Sequence, residues 1–191
     1  MKLLNKLIFF LRNKINIDKN NKIKLPLNYK IRNCKIKIRG KNNLLVISEN
    51  VNMNEVNIEI RGENCKIFIG NNTIIGKNTY ISAREKGIKI NIGNNSMLSR
   101  NIKIMTSDGH SIYDLNQKIR TNFAKDIFIG NNVWIADNVT ILKGSIIQNS
   151  SIVGINSLVT KQFLEENILI TGNPAKKKKN NIFWKKELNK E

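Results

Sequence analysis

The amino-acid sequence predicts an all-β chain wound into a solenoid of short, flat strands, and three observations carry that prediction. Ile129, Ile135, Ile141, Ile147, Val153 and Val159 fall six residues apart without a break. Four residues after the first five of these stand Val133, Val139, Ser145, Ser151 and Ser157, all small or β-branched. Between them lie Gly130-Asn131-Asn132, Asp137-Asn138, Lys143-Gly144 and Gly154-Ile155-Asn156, residue types that suit sharp corners and positive φ. A helix would repeat at about 3.6 residues and an ordinary strand at 2. A period of six calls for strand, turn, strand, and three such units close a triangular coil of about 18 residues.

Each element follows from that frame. The aliphatics point to the axis and fill the prism, while the small residue four places on sits near a corner with no room for bulk. The same signature stands upstream in Ile69-Gly70-Asn71-Asn72, Ile75-Gly76-Lys77-Asn78 and Ile81, and again in Ile92-Gly93-Asn94-Asn95, Leu98 and Ile104. Ile38-Arg39-Gly40-Lys41-Asn42-Asn43 and Ile60-Arg61-Gly62-Glu63-Asn64-Cys65 look alike 22 residues apart, which suits early coils with irregular corners. Cys34 and Cys65 read as small apolar fillers, since no activating neighbour is recognisable. The register breaks twice. The step from Ile81 to Ile92 places a short insertion near Ser82 to Gly87, and the step from Ile104 to Ile129 places a loop at 106–126 outside the coil. A long loop in a compact solenoid is usually functional.

Composition narrows the function. The chain has 191 residues and a net charge of +19, with one histidine and two cysteines. One histidine excludes a His-rich metal site, including the three-histidine zinc centre of a carbonic-anhydrase-type solenoid, so no metal is expected. Residues 1–41 hold 13 Lys or Arg against one Asp, residues 174–191 hold 7 Lys against 2 Glu, and residues 42–173 are almost neutral. The body thus lacks the basic, aromatic-interleaved face of a nucleic-acid groove, and nucleic-acid binding is not expected. No apolar run approaches the roughly 18 residues of a membrane span, and Leu7 to Leu11 is too short for a secretory signal, so a cytoplasmic location is expected.

The loop carries the histidine, as Met105-Thr106-Ser107-Asp108-Gly109-His110-Ser111-Ile112-Tyr113-Asp114. A neutral imidazole suits proton abstraction from an alcohol near pH 7, and a carboxylate from Asp108 or Asp114 can fix its tautomer.

With these motifs in place, the sequence resembles the hexapeptide-repeat acyltransferases, and among them the bacterial sugar and polysaccharide O-acetyltransferases of the maltose, galactoside and nodulation type. The runs that carry the resemblance are Ile129-Gly130-Asn131-Asn132-Val133-Trp134-Ile135-Ala136, Ile152-Val153-Gly154-Ile155-Asn156-Ser157-Leu158-Val159-Thr160-Lys161 and Gly172-Asn173-Pro174-Ala175-Lys176, together with the Ser-Asp-Gly-His loop. It covers about residues 60 to 182. The resemblance implies a left-handed parallel β-helix assembled as a homotrimer, with acetyl-CoA lying between neighbouring prisms. It implies His110 as the general base that lets a saccharide hydroxyl attack the thioester directly. It further implies an oxyanion donor at the turn Ala136-Asp137, Trp134 as a groove wall, and Ile155, Thr160, Lys161 and Lys176 as coenzyme contacts. Where some sugar acetyltransferases use an Asn to place the acceptor, this chain has Tyr80-Ile81-Ser82-Ala83-Arg84, so Arg84 or Glu85 is the candidate there. N-acetylation of a nucleotide-linked amino sugar and a non-catalytic scaffold stand as alternatives.

The ends complete the division: a basic amphipathic segment at 1–30, the β-helix at 31–173, and a basic tail at 174–191 with a short helix packing Phe183 and Trp184 on the last coil. Leu3, Leu4, Leu7, Ile8, Leu11 and Ile15 recur at helical spacing. Two readings are open for residues 1–15: a helix capping the open end of the solenoid, or a peripheral contact with an anionic inner-membrane surface.

Overall fold

A computed structural model describes residues 2–187, with side chains described from Leu7 onward; the side chains of Leu3 and Leu4 and the last four residues of the expected tail lie outside this. One helix, Lys2–Arg12, precedes seven coils. Each coil contributes one strand to each of three parallel sheets, which form the faces of a prism. Coil one comprises Lys14–Ile17, Lys22–Lys24 and Tyr29–Arg32, and coil seven Leu158–Val159, Gln162–Phe163 and Leu169–Thr171.

The core is a set of aliphatic columns. Ile36, Ile58, Ile81, Ile104, Ile141 and Val159 stack in register on the first face, and Met53, Ile75, Leu98, Ile135, Val153 and Ile170 on the third. All are at most 1% exposed. The six aliphatics of the period-six run are completely buried, as are Val133, Val139, Ser145 and Ser151. Serine is tolerated there because its hydroxyl finds a carbonyl: Ser145 donates to Val159 O at 3.1 Å and Ser157 to Gly154 O at 2.7 Å.

The corners divide the work between asparagine and glycine differently from expectation. Asparagine, not glycine, takes most of the left-handed positions, among them Asn72 (φ 57°), Asn95 (55°), Asn132 (53°) and Asn138 (61°). Its short amide lowers the penalty of that conformation and bonds to the same residue one coil away, as in Asn72 Nδ2 to Asn95 Oδ1 at 2.9 Å. Most corner glycines serve close approach instead. A Cβ on Gly76 would lie 2.0 Å from the Ser99 carbonyl oxygen of the next coil.

Three boundaries are corrected. The solenoid begins at Lys14 rather than 31, because coil one already pairs Lys14 with Lys35. The step near Ser82 to Gly87 is no insertion. Tyr80–Lys86 is a seven-residue strand paired throughout with Asn57–Glu63, which itself pairs with Lys35–Lys41, so the early coils share one long face. The tail forms no helix in its described residues. Lys176–Lys179 adds antiparallel to Leu169–Thr171, and the segment beyond returns along the prism. Trp184 Nε1 donates to Asn132 O at 2.7 Å, its ring centroid 6.1 Å from that of Trp134, while Phe183 is exposed.

Gly76→Ala should lower the unfolding free energy by about 3 kcal/mol, because backbone oxygen cannot move aside. Gly87→Asn, at φ +75° with nothing within 4 Å of a Cβ, should leave it within about 0.5 kcal/mol. Urea midpoints of the two variants check this, and equal losses would contradict the stacking argument.

Candidate functional site

The 106–126 loop leaves the prism at the edge between the first and second faces, from Met105 to Ile127. Its neck is closed by Lys125 N–H on Thr106 O at 3.1 Å, and Thr106 N–H on Ser82 O at 3.2 Å continues the ladder below. Its tip is a small hairpin in which Thr121 N–H meets Ile112 O at 2.8 Å. Between neck and tip stands His110, exposed to solvent.

Asn122 sets the backbone there. Nine-tenths buried, its Nδ2 donates to the His110 carbonyl and to Asp108 Oδ2, both at 2.8 Å, and its Oδ1 accepts from Ile112 N–H at 2.7 Å. Asp108 is also ion-paired with Lys143, which rises from the corner of the next coil. The Lys143 ammonium, followed by the Asn122 amide, holds the Asp108 carboxyl below the usual carboxylate range. Glu85 braces the other side. It takes Arg120 Nη2 at 2.5 Å, Ser107 Oγ at 3.2 Å and Ala124 N–H at 3.3 Å, and the Arg120 guanidinium in turn lies 4.9 Å from the Phe123 ring centroid. Arg120 draws the Glu85 carboxyl downward in the same way.

Glu85 occupies a place that glycine holds in the coils below. It pairs with Gly62, and Gly62 with Gly40. Glu85 adopts φ 79°, a region costly for a residue with a Cβ. The side chain fits because pairing with the next coil ends at Ser82 and Met105, where the loop departs.

Several expected roles change. Neither carboxylate reaches the imidazole, whose ring makes no hydrogen bond to a described residue. Asp108 is engaged by Lys143 and Asn122, and Asp114 caps its own turn, Oδ1 accepting from Asn116 and Gln117 N–H at 2.9 and 2.7 Å. The Ala136 N–H is committed to Val153 O at 2.9 Å, so it is not a spare oxyanion donor. The adjacent Asp137 N–H donates to no described residue, while the Asp137 carboxylate chelates Arg100. Trp134 is half-buried, its Nε1 3.3 Å from Ser99 Oγ. Arg84 bonds Glu59 at 2.8 Å within a cluster that includes Tyr80 and Ser82.

The sites also divide in space. Arg84, Glu85, Asp108, His110, Asp114, Thr160 and Lys161 belong to the edge between faces one and two and its loop. Ala136, Asp137 and Ile155 lie on the edge between faces three and one, with Trp134 and Lys176 on face three. One chain therefore does not bring the two groups together. Asn122, Lys143 and Arg120 escaped the sequence reading. The exchange of Gly for Glu in the series Arg39-Gly40, Arg61-Gly62, Arg84-Glu85 was the available signal.

Because both bracing carboxyls have lowered folded values, their contribution is complete above the ordinary carboxylate range, about pH 4, and is lost as pH falls through those lowered values. Amide exchange, corrected for its intrinsic pH dependence, should stay slow across 106–126 from pH 7 to about pH 5 and accelerate below about pH 4 before the coils open. Unchanged loop protection at pH 2.5 with intact coils would contradict the brace.

No family model matches the chain. Over 119 residues it is 34% identical to the polysialic acid O-acetyltransferase of Escherichia coli O1:K1 / APEC, covering 60% of this chain and 38% of that protein. Over 86 residues it is 38% identical to the polysialic acid O-acetyltransferase of Neisseria meningitidis, covering 45% and 40%. The chain spans less than half the length of these two relatives. The solved structure of the polysialic acid O-acetyltransferase OatWY superposes with a TM-score of 0.73 at 32% identity, over 93% of this chain and 92% of that one. At 32% identity over nearly the whole of both chains, that likeness, together with the six-residue rungs of this one, places the chain among the hexapeptide-repeat O-acetyltransferases.

Proposed function

We propose that this chain transfers the acetyl group of acetyl-CoA to a saccharide hydroxyl, with His110 as general base. The observation that carries the reading is the state of His110. Its carbonyl is pinned by a buried amide, its loop is braced by two ion pairs, and its ring is left exposed and uncommitted. A ring held in this way can take the hydroxyl proton as the oxygen attacks the thioester carbonyl. The C–O bond forms, the C–S bond breaks, and the proton passes to the departing thiolate. Within the expected turn Ala136-Asp137, the Asp137 N–H, which donates to no described residue, takes the oxyanion part. Exposed Ile155 suits a pantetheine arm, and exposed Thr160, Lys161 and Lys176 suit phosphates.

The placement of these groups on two prism edges supports a homotrimer, with the site in the seam between copies. The loop tip supports it as well: Ile112, Tyr113, Leu115, Ile119 and Phe123 are each more than half exposed, an apolar set that needs a partner surface. Saccharide acceptors are supported by the names of the relatives, and oligosialic acid is the acceptor to try first.

His110→Ala should lower kcat about 10²-fold or more while acetyl-CoA binding and the thermal transition stay unchanged. Acetylated product measured by mass spectrometry checks this, and an undiminished rate would remove the base. Leu115→Asp with Ile119→Asp should shift the assembly from trimer to monomer in light scattering. A persistent trimer would contradict the loop-tip contact.

A further inference from the structure

The helix Lys2–Arg12 leaves part of its apolar surface open to solvent. Phe9 is fully buried, edge-on to Tyr29 with ring centroids 6.0 Å apart. Leu7, Phe10 and Leu11, at spacings that share one helix face, are 56%, 46% and 76% exposed. Asn13 fixes this rotation. Its Nδ2 donates to the carbonyls of Phe9 at 2.8 Å and Ile31 at 3.3 Å, and its Oδ1 accepts from Cys34 N–H at 2.9 Å. The helix does cover the first coil, as a cap would, but it does so through Phe9, and Leu7 and Leu11 of the expected stripe stay exposed.

The surroundings are cationic. Residues 1–41 carry 13 Lys or Arg against one Asp. Beside the helix opens a cleft of about 920 Å³ lined by Ile8, Phe9, Arg12, Lys30, Arg32 and Lys186 among others, with no Asp or Glu in its lining. Exposed leucine and phenylalanine next to a basic cleft match an interface that is apolar inside and anionic at its rim.

We propose that this end of the solenoid docks on a lipid surface carrying anionic headgroups. Leu7, Phe10 and Leu11 enter the acyl boundary, and Arg12, Lys30 and Arg32 meet the headgroups. A second copy of the chain fits less well, since it would bring an equally positive end against this one. An acidic polysaccharide would satisfy the cations but offers no apolar phase for Leu11. No described helix is long and apolar enough to cross a membrane, so the contact is peripheral.

The test is sedimentation of the full chain with phosphatidylcholine vesicles, with and without phosphatidylglycerol. Binding should require the anionic lipid and weaken with salt. The triple variant Leu7→Ser, Phe10→Ser, Leu11→Ser should lower the bound fraction about tenfold, and Lys30→Glu with Arg32→Glu should do the same. Both variants should keep the thermal transition and the transfer rate to a soluble acceptor, which separates this proposal from the acetyltransfer reading. Absence of vesicle binding, equal binding to neutral and anionic vesicles, or indifference to the serine variant would each overturn it. So would a serine variant that changes only the oligomeric state, or a Lys30/Arg32 variant that loses only polysaccharide binding.

Discussion

In-register contact between one coil and the next is the constraint on which the rest depends. Neighbouring strands in a sheet stand about 4.8 Å apart, so whatever occupies a position in one coil must tolerate a near copy of itself at that distance. The interior answers with Ile on Ile, the corners with Asn on Asn. The corner stack is continuous: the amide oxygens of Asn71, Asn94, Asn131 and Asn149 each accept the backbone N–H of the residue one coil below. A side chain that satisfies a backbone donor at every level makes the corner as regular as the sheets it joins.

The loop matters because it is where that regularity is suspended. Between Thr106 and Asp126 the loop finds no coil to pair with, so outside its own hairpin the main chain must be held by side chains, and three polar groups do so: Asn122 from within, Lys143 from above and Glu85 from below. Glu85 shows the coupling most directly. It departs from the glycine pattern only where the loop has removed the overlying strand, and its carboxylate then fills the space that the loop must cross. The strained backbone at that residue and the position of the histidine are two sides of the same local event.

The architecture was legible in the sequence because stacking leaves a one-dimensional trace, a fixed step between aliphatics. The trace faded in the early coils, where the long face of Lys35–Lys41, Asn57–Glu63 and Tyr80–Lys86 lengthens the step without disturbing the pairing. That is why the spacing alone sets the first coil apart from the solenoid and suggests an insertion where a strand runs. The histidine and its loop were legible for the opposite reason, as a break in the trace. Its support was not, because Asn122, Lys143 and Glu85 converge from three elements, and nothing in their spacing announces a shared hydrogen bond. Asp108 and Asp114 were close in sequence to His110 but are drawn elsewhere by stronger local partners, a lysine and two turn amides.

Solenoids resemble zippers: each rung touches only its neighbours, so the terminal rung opens first and opening travels inward. The returning tail changes that sequence of events. Ile182 N–H meets Asn167 O in coil seven and the Trp184 indole meets Asn132 O in coil five, so the same short segment clips rungs that are not adjacent. Peeling the last rung therefore disturbs the one carrying Trp134. The upper part of the prism gains all-or-none opening in place of gradual fraying, and the rung carrying Trp134 shares the fate of the chain's outermost turn.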